Sequence, residues 1–281
     1  MPEGNVIHNQ ARRLDRAFRG RIVRIDSPQG RFEHSAREVD GGVVCGVWAR
    51  GKHLFIDIAR APRMGTSQGC DADVTIHVHL GLFGKWRLGK GDLPAPRGEI
   101  RMRIATDEKF AELRGPTVCE LLDPEQVRAA LSRIGPDPLH RAADPEIAWR
   151  RMQRSSLPIA AVLMDQRSFA GVGNIYRAEI LFRHGMSPFR PARSVARSEF
   201  DAMWADLVSL MAIGSKRGRI DTVRPEHLPD AMGRAAREDR HGGEVYVYRR
   251  AGQPCLLCGS EIAIDTIQAR KLYWCPSCQV A

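Results

Sequence analysis

Hydrophobic residues near the start of the chain recur at the spacing of an α-helix. Ile7, Ala11, Leu14 and Phe18 share one face, with arginines between them, and Gly20 follows. Side chains three and four positions apart lie on one side of a helix, so this pattern predicts an amphipathic helix that ends by Gly20.

Four later segments have the alternating or continuous apolar pattern of β-strands. They are GGVVCGVWA, KHLFIDIA, VTIHVHLG and EIRMRIAT. In the last of them, Ile100, Met102 and Ile104 are expected to face one side, and Arg101 and Arg103 the other. We therefore predict a mostly antiparallel β region that ends near residue 120.

The pattern becomes helical beyond a proline-rich connector, RIGPDPLHRAADP. Helices are predicted at about 145–154, 158–166, 174–184 and 197–214. Residues 217–243 are polar and rich in Arg, Gly and Pro, which predicts a loosely ordered loop, and the strand VYVYRR is expected to follow it. The predicted domains are 1–125, 126–243 and 244–281.

Charge narrows the classes of partner. The chain has 43 Lys and Arg residues against 33 Asp and Glu, a formal net charge of +10 and a pI near 9.7. This balance favours polyanions such as nucleic acid. The sequence has no run of about 18 apolar residues that would span a bilayer, and no apolar stretch typical of a secretory signal. We expect a cytoplasmic protein.

Four cysteines form two Cys-x-x-Cys pairs near the end of the sequence, with sixteen residues between the pairs. They are Cys255, Cys258, Cys275 and Cys278. This spacing lies within the roughly 15–20 residues typical of four-cysteine zinc sites. Four thiolates complete a tetrahedral ion and leave no open position, so we predict one structural Zn²⁺, with a redox pair or two disulfides as the alternative.

The other three cysteines stand in unrelated contexts. They are Cys45, Cys70 and Cys119. In a reducing compartment, isolated cysteines are expected to be small buried hydrophobic residues.

A glycine turn leads into the helix predicted at 174–184. Gly171, Val172, Gly173 and Asn174 directly precede Ile175. Two glycines permit a tight turn, and backbone N–H groups at a helix N-terminus bind anions well. Asn174 would cap the helix or donate a hydrogen bond to a phosphate; an ordinary glycine turn capped by Asn is the plainer interpretation.

Four stretches together resemble the formamidopyrimidine-DNA glycosylase and endonuclease VIII family of DNA repair enzymes. They are the PEG start at 2–4, RGKHL at 50–54, GVGNIY at 171–176 and VYRRAGQPC at 247–255. Their order matches the family along the chain, and the sequence looks most like the endonuclease VIII branch of actinobacterial type. The resemblance implies an α+β multidomain fold, in which an N-terminal helix and antiparallel β-sandwich precede a helix-two-turn-helix module and a C-terminal zinc finger hairpin.

The resemblance gives the first residues a chemical role. After removal of the initiator methionine, Pro2 would present a secondary amine whose pKa lies near the usual α-amino value of about 8. In the family this amine attacks C1′ of the damaged nucleotide, expels the base and leaves an iminium, which promotes β- and δ-elimination. Glu3 is implied to be the neighbouring acid or base, and Lys52 to direct its ammonium at the phosphate or sugar of the lesion.

Further residues are implied to bind DNA. Asn174, with the turn glycine Gly173, and Arg270 at the tip of the zinc hairpin match positions that hold phosphates around the flipped nucleotide. Leu82 and Phe83 are implied to fill the gap that the flipped base leaves. The plainer interpretations are a solvated charge for Arg270, and core residues at the end of a strand for Leu82 and Phe83.

The sequence departs from the family pattern at three places. Gly81 stands where endonuclease VIII carries a polar side chain, DEKFAELRGP lacks the Arg-Arg-Phe-Gly loop of the formamidopyrimidine branch, and the 217–243 loop does not match that branch's lid. We therefore expect a preference for oxidised pyrimidines and ring-opened purines over 8-oxoguanine.

The sequence as a whole predicts a bifunctional DNA glycosylase and abasic-site lyase of base-excision repair. Its implied partner is damaged double-stranded DNA, with single-stranded or bubble DNA left open, and a nucleoid-associated monomer is expected. The alternatives are a non-catalytic zinc-containing DNA-binding protein and a zinc-ribbon component of a translation or transcription complex. Both leave Pro2, Glu3 and Lys52 unexplained.

Overall fold

The computed structural model describes residues 2–60, 70–238 and 243–280, which form two compact units. The first unit comprises Pro2 and residues 7–133, and the second comprises residues 3–6 together with the chain from 134 onward. Among these described residues, no helix has the length and apolar character needed to cross a membrane.

The first unit consists mainly of β-strands. After α1 (Gly4–Phe18), whose first three residues belong to the second unit, its elements are β1 (Arg24–Asp26), α2 (Glu33–Val39), β2 (Val43–Arg50), β3 (His53–Ala59), β4 (Val74–His79), β5 (Lys85–Lys90), β6 (Met102–Ala105), β7 (Lys109–Arg114), β8 (Val118–Leu122) and α3 (Pro124–Ser132).

The strands form two four-stranded antiparallel sheets, in the orders β1-β6-β7-β5 and β2-β3-β4-β8. Apolar side chains from both sheets and from α1 make one continuous core. Ile100, Met102 and Ile104 are buried, whereas Arg101 and Arg103 are only half-buried on the other side. The predicted β-sandwich and its alternation are confirmed, as is the first helix, which Gly20 follows at a positive φ of 72°.

Two helices of this unit were not predicted. Helix α3 begins at a capping box, in which Asp123 accepts hydrogen bonds from the N–H groups of Glu125 and Gln126, and Pro124 occupies the first turn. The sequence carries this start signal in plain form. None of the α3 side chains is fully buried, however, so the apolar periodicity that marks longer helices is weak there.

The second unit is mainly helical and ends in a hairpin. Its elements are α4 (Pro145–Gln153), α5 (Ile159–Val162), α6 (Asn174–Arg183), a 3₁₀ turn at Ala192–Ser194, α7 (Arg197–Arg217), a 3₁₀ turn at Pro225–His227, α8 (Pro229–Met232), β9 (Ala263–Ile267) and β10 (Arg270–Trp274). The four predicted helices are present, although α5 is shorter than expected.

One core joins α4 to α7, and a smaller cluster joins α6 to the hairpin. In that smaller cluster, Phe182 of α6 stacks on Tyr246, with ring centroids 4.7 Å apart. Leu272 of β10 is fully buried in the larger core. The hairpin is therefore packed against α6 within the same unit.

The prediction of a β-strand at VYVYRR is wrong. Residues 245–250 have no strand pairing, and Arg249 has a positive φ of 56°. The preceding loop contains two short helical turns within its described part. Arg234, which follows the second turn, forms an ion pair with Glu244 at 2.6 Å. Residues 239–242 of that loop lie outside the described residues.

The prediction that the isolated cysteines are all small buried hydrophobic residues is wrong for two of them. Cys45, at a bulge in β2, forms a disulfide with Cys70. The partners lie 25 residues apart in the sequence, and no local pattern marks their proximity. Cys119 is a free, half-buried thiol on β8, and burial raises its pKa to about 12, which makes it unreactive.

Candidate functional site

The Glu3 side chain is buried at the N-terminus of α6. Only 1% of this residue is exposed. Its carboxylate accepts hydrogen bonds from the backbone N–H groups of Gly173 at 3.0 Å, Ile175 at 2.7 Å and Tyr176 at 3.3 Å. The predicted anion site at this turn therefore exists, and it holds an anion of the protein itself, stabilised by the unpaired N–H groups and the dipole of the helix.

Gly173 is required by the close approach of Glu3. A Cβ at position 173 would lie 2.4 Å from the Glu3 Cδ, although the φ of −128° is open to any residue. The turn also receives the next residue, because the Gly4 N–H donates to the Gly171 carbonyl at 2.8 Å. The glycines of GVGN thus leave the space in which the start of the chain is held.

Asn174 does not cap α6. The N-cap is Gly173, and Asn174 is the first residue of the helix. Its Nδ2 donates to the Lys271 carbonyl at 2.9 Å, and its Oδ1 accepts from the Arg177 guanidinium. The capping interpretation is therefore wrong, and the side chain ties α6 to β10.

Arg270 lies at the tip of the terminal hairpin, as predicted. It begins β10 directly after the two-residue turn Gln268–Ala269, whose φ angles are 51° and 58°. Burial and then the charge of Arg270 lower the pKa of Arg177 to about 10. Arg270 thus adds its positive charge to that of the buried Arg177, and an electropositive hairpin tip suits an anionic ligand.

Comparisons with known proteins agree with this arrangement. The formamidopyrimidine-DNA glycosylase N-terminal domain matches residues 1–118, and the formamidopyrimidine-DNA glycosylase H2TH domain matches residues 134–224. The chain is 46% identical to endonuclease 8 1 of Mycobacterium tuberculosis over 286 residues, covering 99% of this chain and 100% of that protein.

The chain therefore belongs to the formamidopyrimidine-DNA glycosylase and endonuclease VIII family. Members of this family are DNA glycosylases and abasic-site lyases of base-excision repair. A Mycolicibacterium smegmatis member, DNA-(apurinic or apyrimidinic site) lyase Nei2, is 32% identical over 290 residues, with full coverage of both chains. The Lactococcus lactis formamidopyrimidine-DNA glycosylase, solved with DNA containing an abasic site, has the same fold, with a TM-score of 0.77, 22% identity and 99% coverage of both chains. The resemblance found in the sequence is confirmed.

The family's four-cysteine arrangement is present in the terminal hairpin. The Sγ atoms all lie within 4.8 Å of one another, with Cys255 to Cys278 at 3.9 Å and Cys258 to Cys275 at 3.5 Å. Four thiolates at a Zn–S distance of about 2.3 Å from one tetrahedral ion would be about 3.8 Å apart. The donor set and its spacing therefore fit Zn²⁺.

In the first unit, Lys52 lies in the tight turn between β2 and β3, where Gly51 has a φ of 57°. Burial, the neighbouring histidines and the Lys52 charge together lower the pKa of His53 to about 3 and also lower that of His79. These imidazoles beside Lys52 were missed. The alternating pattern of His and Phe in KHLFIDIA and VTIHVHLG was the available signal, because residues two apart share one face of a strand.

Leu82 and Phe83 form an exposed tip between β4 and β5. Leu82 is 55% exposed and Phe83 is 85% exposed, so the alternative that they are core residues is wrong. The turn has Gly81 at a φ of 66° and is closed by the Gly84 N–H donating to the Leu80 carbonyl at 3.0 Å. This family member presents an apolar pair to its surroundings.

The family departure at Gly81 has a steric cause. A Cβ at that position would lie 1.8 Å from the Thr117 Oγ1. The Thr117 hydroxyl therefore occupies the space that a side chain at position 81 would need, and Thr117 directly follows the segment DEKFAELRGP, in which the Arg-Arg-Phe-Gly loop is missing.

The candidate residues are divided between the two units. Pro2, Lys52, Leu82 and Phe83 belong to the first, whereas Glu3, Gly173, Asn174, Arg270 and the four cysteines belong to the second. Pro2 is half-buried and is joined to Glu3 by a peptide bond. Within the second unit, the structure brings Glu3 together with Gly173, and Asn174 together with the strand that carries Arg270.

Proposed function

We propose that this protein removes oxidised bases from DNA and then cleaves the strand, with the Pro2 amine as nucleophile. The observation that carries the proposal is the Glu3 carboxylate, which three backbone N–H groups hold in a buried place one residue from Pro2. A carboxylate with a fixed position beside a secondary amine is suited to proton transfer during covalent catalysis.

The reaction begins when the Pro2 nitrogen lone pair attacks C1′ of the damaged nucleotide. The glycosidic bond breaks, the base leaves with the bonding electrons and takes up a proton, and opening of the sugar ring gives an iminium between Pro2 and C1′. Glu3 supplies or removes the protons at the sugar. Loss of the C2′ proton then expels the 3′ phosphate, and a second elimination expels the 5′ phosphate.

The remaining candidate residues bind and distort the DNA. Lys52, Arg270 and Asn174 hold phosphates around the flipped nucleotide, because guanidinium, ammonium and amide groups at hairpin and helix ends suit anionic oxygens. The exposed pair Leu82 and Phe83 enters the base stack at the vacated position. The protein acts as a monomer in the cytoplasm, at the nucleoid.

The proposed substrates are oxidised pyrimidines and formamidopyrimidines in duplex DNA. The support is the missing Arg-Arg-Phe-Gly loop in DEKFAELRGP. Excision rates measured on matched duplexes containing thymine glycol, a formamidopyrimidine or 8-oxoguanine test this preference. The fastest excision at 8-oxoguanine would refute it.

The four cysteines would hold one structural Zn²⁺, which fixes the hairpin that carries Arg270. We expect about one zinc per chain by mass spectrometry of the purified protein. Cys258→Ser should lose the metal and Cys119→Ser should keep it, since Cys119 lies on β8 in the other unit. Full zinc content in Cys258→Ser would contradict the assignment.

Borohydride trapping on duplex DNA with an abasic site tests the mechanism. The wild type should form a covalent adduct, Pro2→Gly should form none, and Pro28→Gly, a half-buried proline in the turn after β1, should behave as the wild type. Intact mass must show that Met1 is removed in each. Salt-sensitive DNA binding without any adduct from the wild type would instead support the non-catalytic DNA-binding alternative.

A further inference from the structure

One face of the β2-β3-β4-β8 sheet carries a line of hydrogen-bonded ionisable side chains. His77 Nδ1 lies 2.8 Å from Glu120 Oε1, and His77 Nε2 lies 2.8 Å from His53 Nδ1. We refer to Glu120, His77 and His53 as the imidazole chain. It begins at a half-exposed carboxylate and ends at the residue that follows Lys52.

With Glu120 ionised and His77 neutral, these contacts fix where the hydrogens are. An ionised Glu120 only accepts hydrogen bonds, so His77 carries its hydrogen on Nδ1. The Nε2 of a neutral His77 is then an acceptor, and His53 must donate to it from Nδ1. A neutral ring has one N–H, so the lone pair of His53 is on Nε2.

A second imidazole beside Lys52 has the opposite arrangement. His79 Nδ1 accepts a hydrogen bond from the Gly81 backbone N–H at 3.2 Å. Its hydrogen is therefore on Nε2 when the ring is neutral. The ring centroids of His53 and His79 lie 4.8 Å apart. The Nε2 of His53 is an acceptor, whereas the Nε2 of His79 is a donor.

The surroundings keep the chain ordered and His53 neutral. His77 is buried and stacks on Phe55 at 4.9 Å, and Phe55 stacks on Trp48 at 4.2 Å. Burial, followed by His79, His77 and Lys52, lowers the pKa of His53 to about 3, so its lone pair is available throughout the neutral range.

Two further polar side chains of this face are Asp57 and Arg50. Asp57 is bound by Trp48 Nε1 and by Thr75 Oγ1, each at 2.7 Å. Arg50 lies directly opposite His53 on β2. Lys52 is the cation whose charge acts on both His53 and His79.

We propose that the imidazole chain is a positioning device for Lys52. Glu120 and His77 fix His53 as the tautomer that offers its Nε2 lone pair to the Lys52 ammonium, which is thereby aimed at the DNA. His53, His77 and Glu120 are positioning residues, since they act through Lys52. This inference rests on the proposed function for the role of Lys52, whereas the tautomers follow from the sheet alone.

Three variants separate positioning from mere packing. His77→Phe keeps an aromatic ring on Phe55 but removes both hydrogen bonds of the chain. His77→Gln restores an acceptor for His53 through its carbonyl oxygen and a donor for Glu120 through its amide. Thr75→Val, on the same strand and face, removes only the bond to Asp57 and is the matched control.

The first measurement is the ¹⁵N spectrum of histidine-labelled free protein. We expect the hydrogen of His53 on Nδ1 and that of His79 on Nε2 in the wild type, and loss of the His53 preference in His77→Phe. A wild-type His53 with its hydrogen on Nε2 would overturn the inference, whatever the activity of the protein.

The second measurement is steady-state cleavage of a duplex with an abasic site. His77→Phe should lower kcat about 10-fold or more with little change in KM, because a misaimed group affects the reacting geometry more than overall binding. His77→Gln should recover most of the loss, and Thr75→Val should match the wild type. If folded His77→Phe has the kcat of the wild type, this inference alone is refuted. If the wild type itself is inactive, the proposed function is refuted.

Discussion

Two buried carboxylates in different regions of the second unit each accept hydrogen bonds from three backbone N–H groups. Glu3 binds three backbone N–H groups at the start of α6, and Glu179, in the middle of α6, binds those of Tyr246, Val247 and Tyr248 at 2.7–2.9 Å. Both are 1% exposed or less. Burial and hydrogen bonding alone therefore do not distinguish the carboxylate proposed to be catalytic, Glu3, from one with a structural role, Glu179.

The difference lies in what each carboxylate holds. Glu3 is bound by the regular N-terminal end of α6, and this contact fixes the position of the residue next to Pro2. Glu179 instead receives three consecutive N–H groups of an irregular segment, together with the Thr222 hydroxyl. Successive N–H groups of a strand point in opposite directions, so three cannot converge on one carboxylate there. Glu179 thus replaces a sheet partner for residues 246–248 and leads the chain into the cysteine hairpin.

Removal of the structural carboxylate should have the largest effect. Glu179→Leu leaves the N–H groups of residues 246–248 without acceptors, at about 1–3 kcal/mol each, so we expect the second unit to lose on the order of 5 kcal/mol or to fail to fold. Chemical unfolding and zinc content are the measurements. Thr222→Val, which removes one donor, should cost only about 1 kcal/mol, and an equal cost for both variants would refute this account.

The same conservative change at both carboxylates should divide activity from stability. Glu3→Gln and Glu179→Gln each turn an acceptor into a donor facing N–H groups, and each should lose about 1–3 kcal/mol of unfolding free energy. Strand cleavage per folded molecule should fall about 100-fold or more in Glu3→Gln only, because a general acid or base is lost. Equal activity in the two variants would remove Glu3 from the mechanism.

Gly173→Ala tests the Glu3 contact by changing the helix residue instead of the carboxylate. The new methyl group would lie 2.4 Å from Glu3 Cδ, so the carboxylate must move, and we expect a loss of about 1–3 kcal/mol together with reduced cleavage. Gly20→Ala is the control, since it has a strained φ of 72° but no neighbour within 4 Å. It should destabilise the protein without affecting activity per folded molecule.

A third carboxylate, Asp206 on α7, is stabilised by charge instead of backbone. Burial opposes its ionisation, but hydrogen bonds from His184 and Arg183 lower its pKa to about 2, below the usual 3.8. This stability is therefore present above pH 3.8 and lost as the pH falls towards 2. Asp206→Asn should cost about 2 kcal/mol at pH 7 and almost nothing at pH 2. Urea unfolding at the two pH values tests this, and a cost independent of pH would contradict it.

Local patterns predicted most elements of the fold. The periodicity of α1, the alternation around Met102 and the spacing of the four cysteines all involve residues close in sequence, where side-chain direction follows from geometry. Helix α3 was missed although Asp123 and Pro124 mark its start. The anion-binding character of GVGN was also predicted.

What the sequence did not reveal depends on distant partners. The anion at GVGN is supplied by a residue 170 positions away, the thiol of Cys45 meets that of Cys70, and the three histidines line up only after β3 and β4 pair in register. The failure at VYVYRR has the same origin, because an apolar alternation typical of a strand is overridden by a single buried glutamate, Glu179.

The Glu3 contact with Gly173 can form only after most of the chain has been synthesised. At about 5–20 residues per second, a ribosome needs roughly 10–30 s to add the residues that separate the two. During that interval the leading end of the nascent chain has no docking place and stays open to the aminopeptidase that would trim Met1. The Glu3 carboxylate next to Pro2, the proposed nucleophile, is held in place only once the α6 turn has been made.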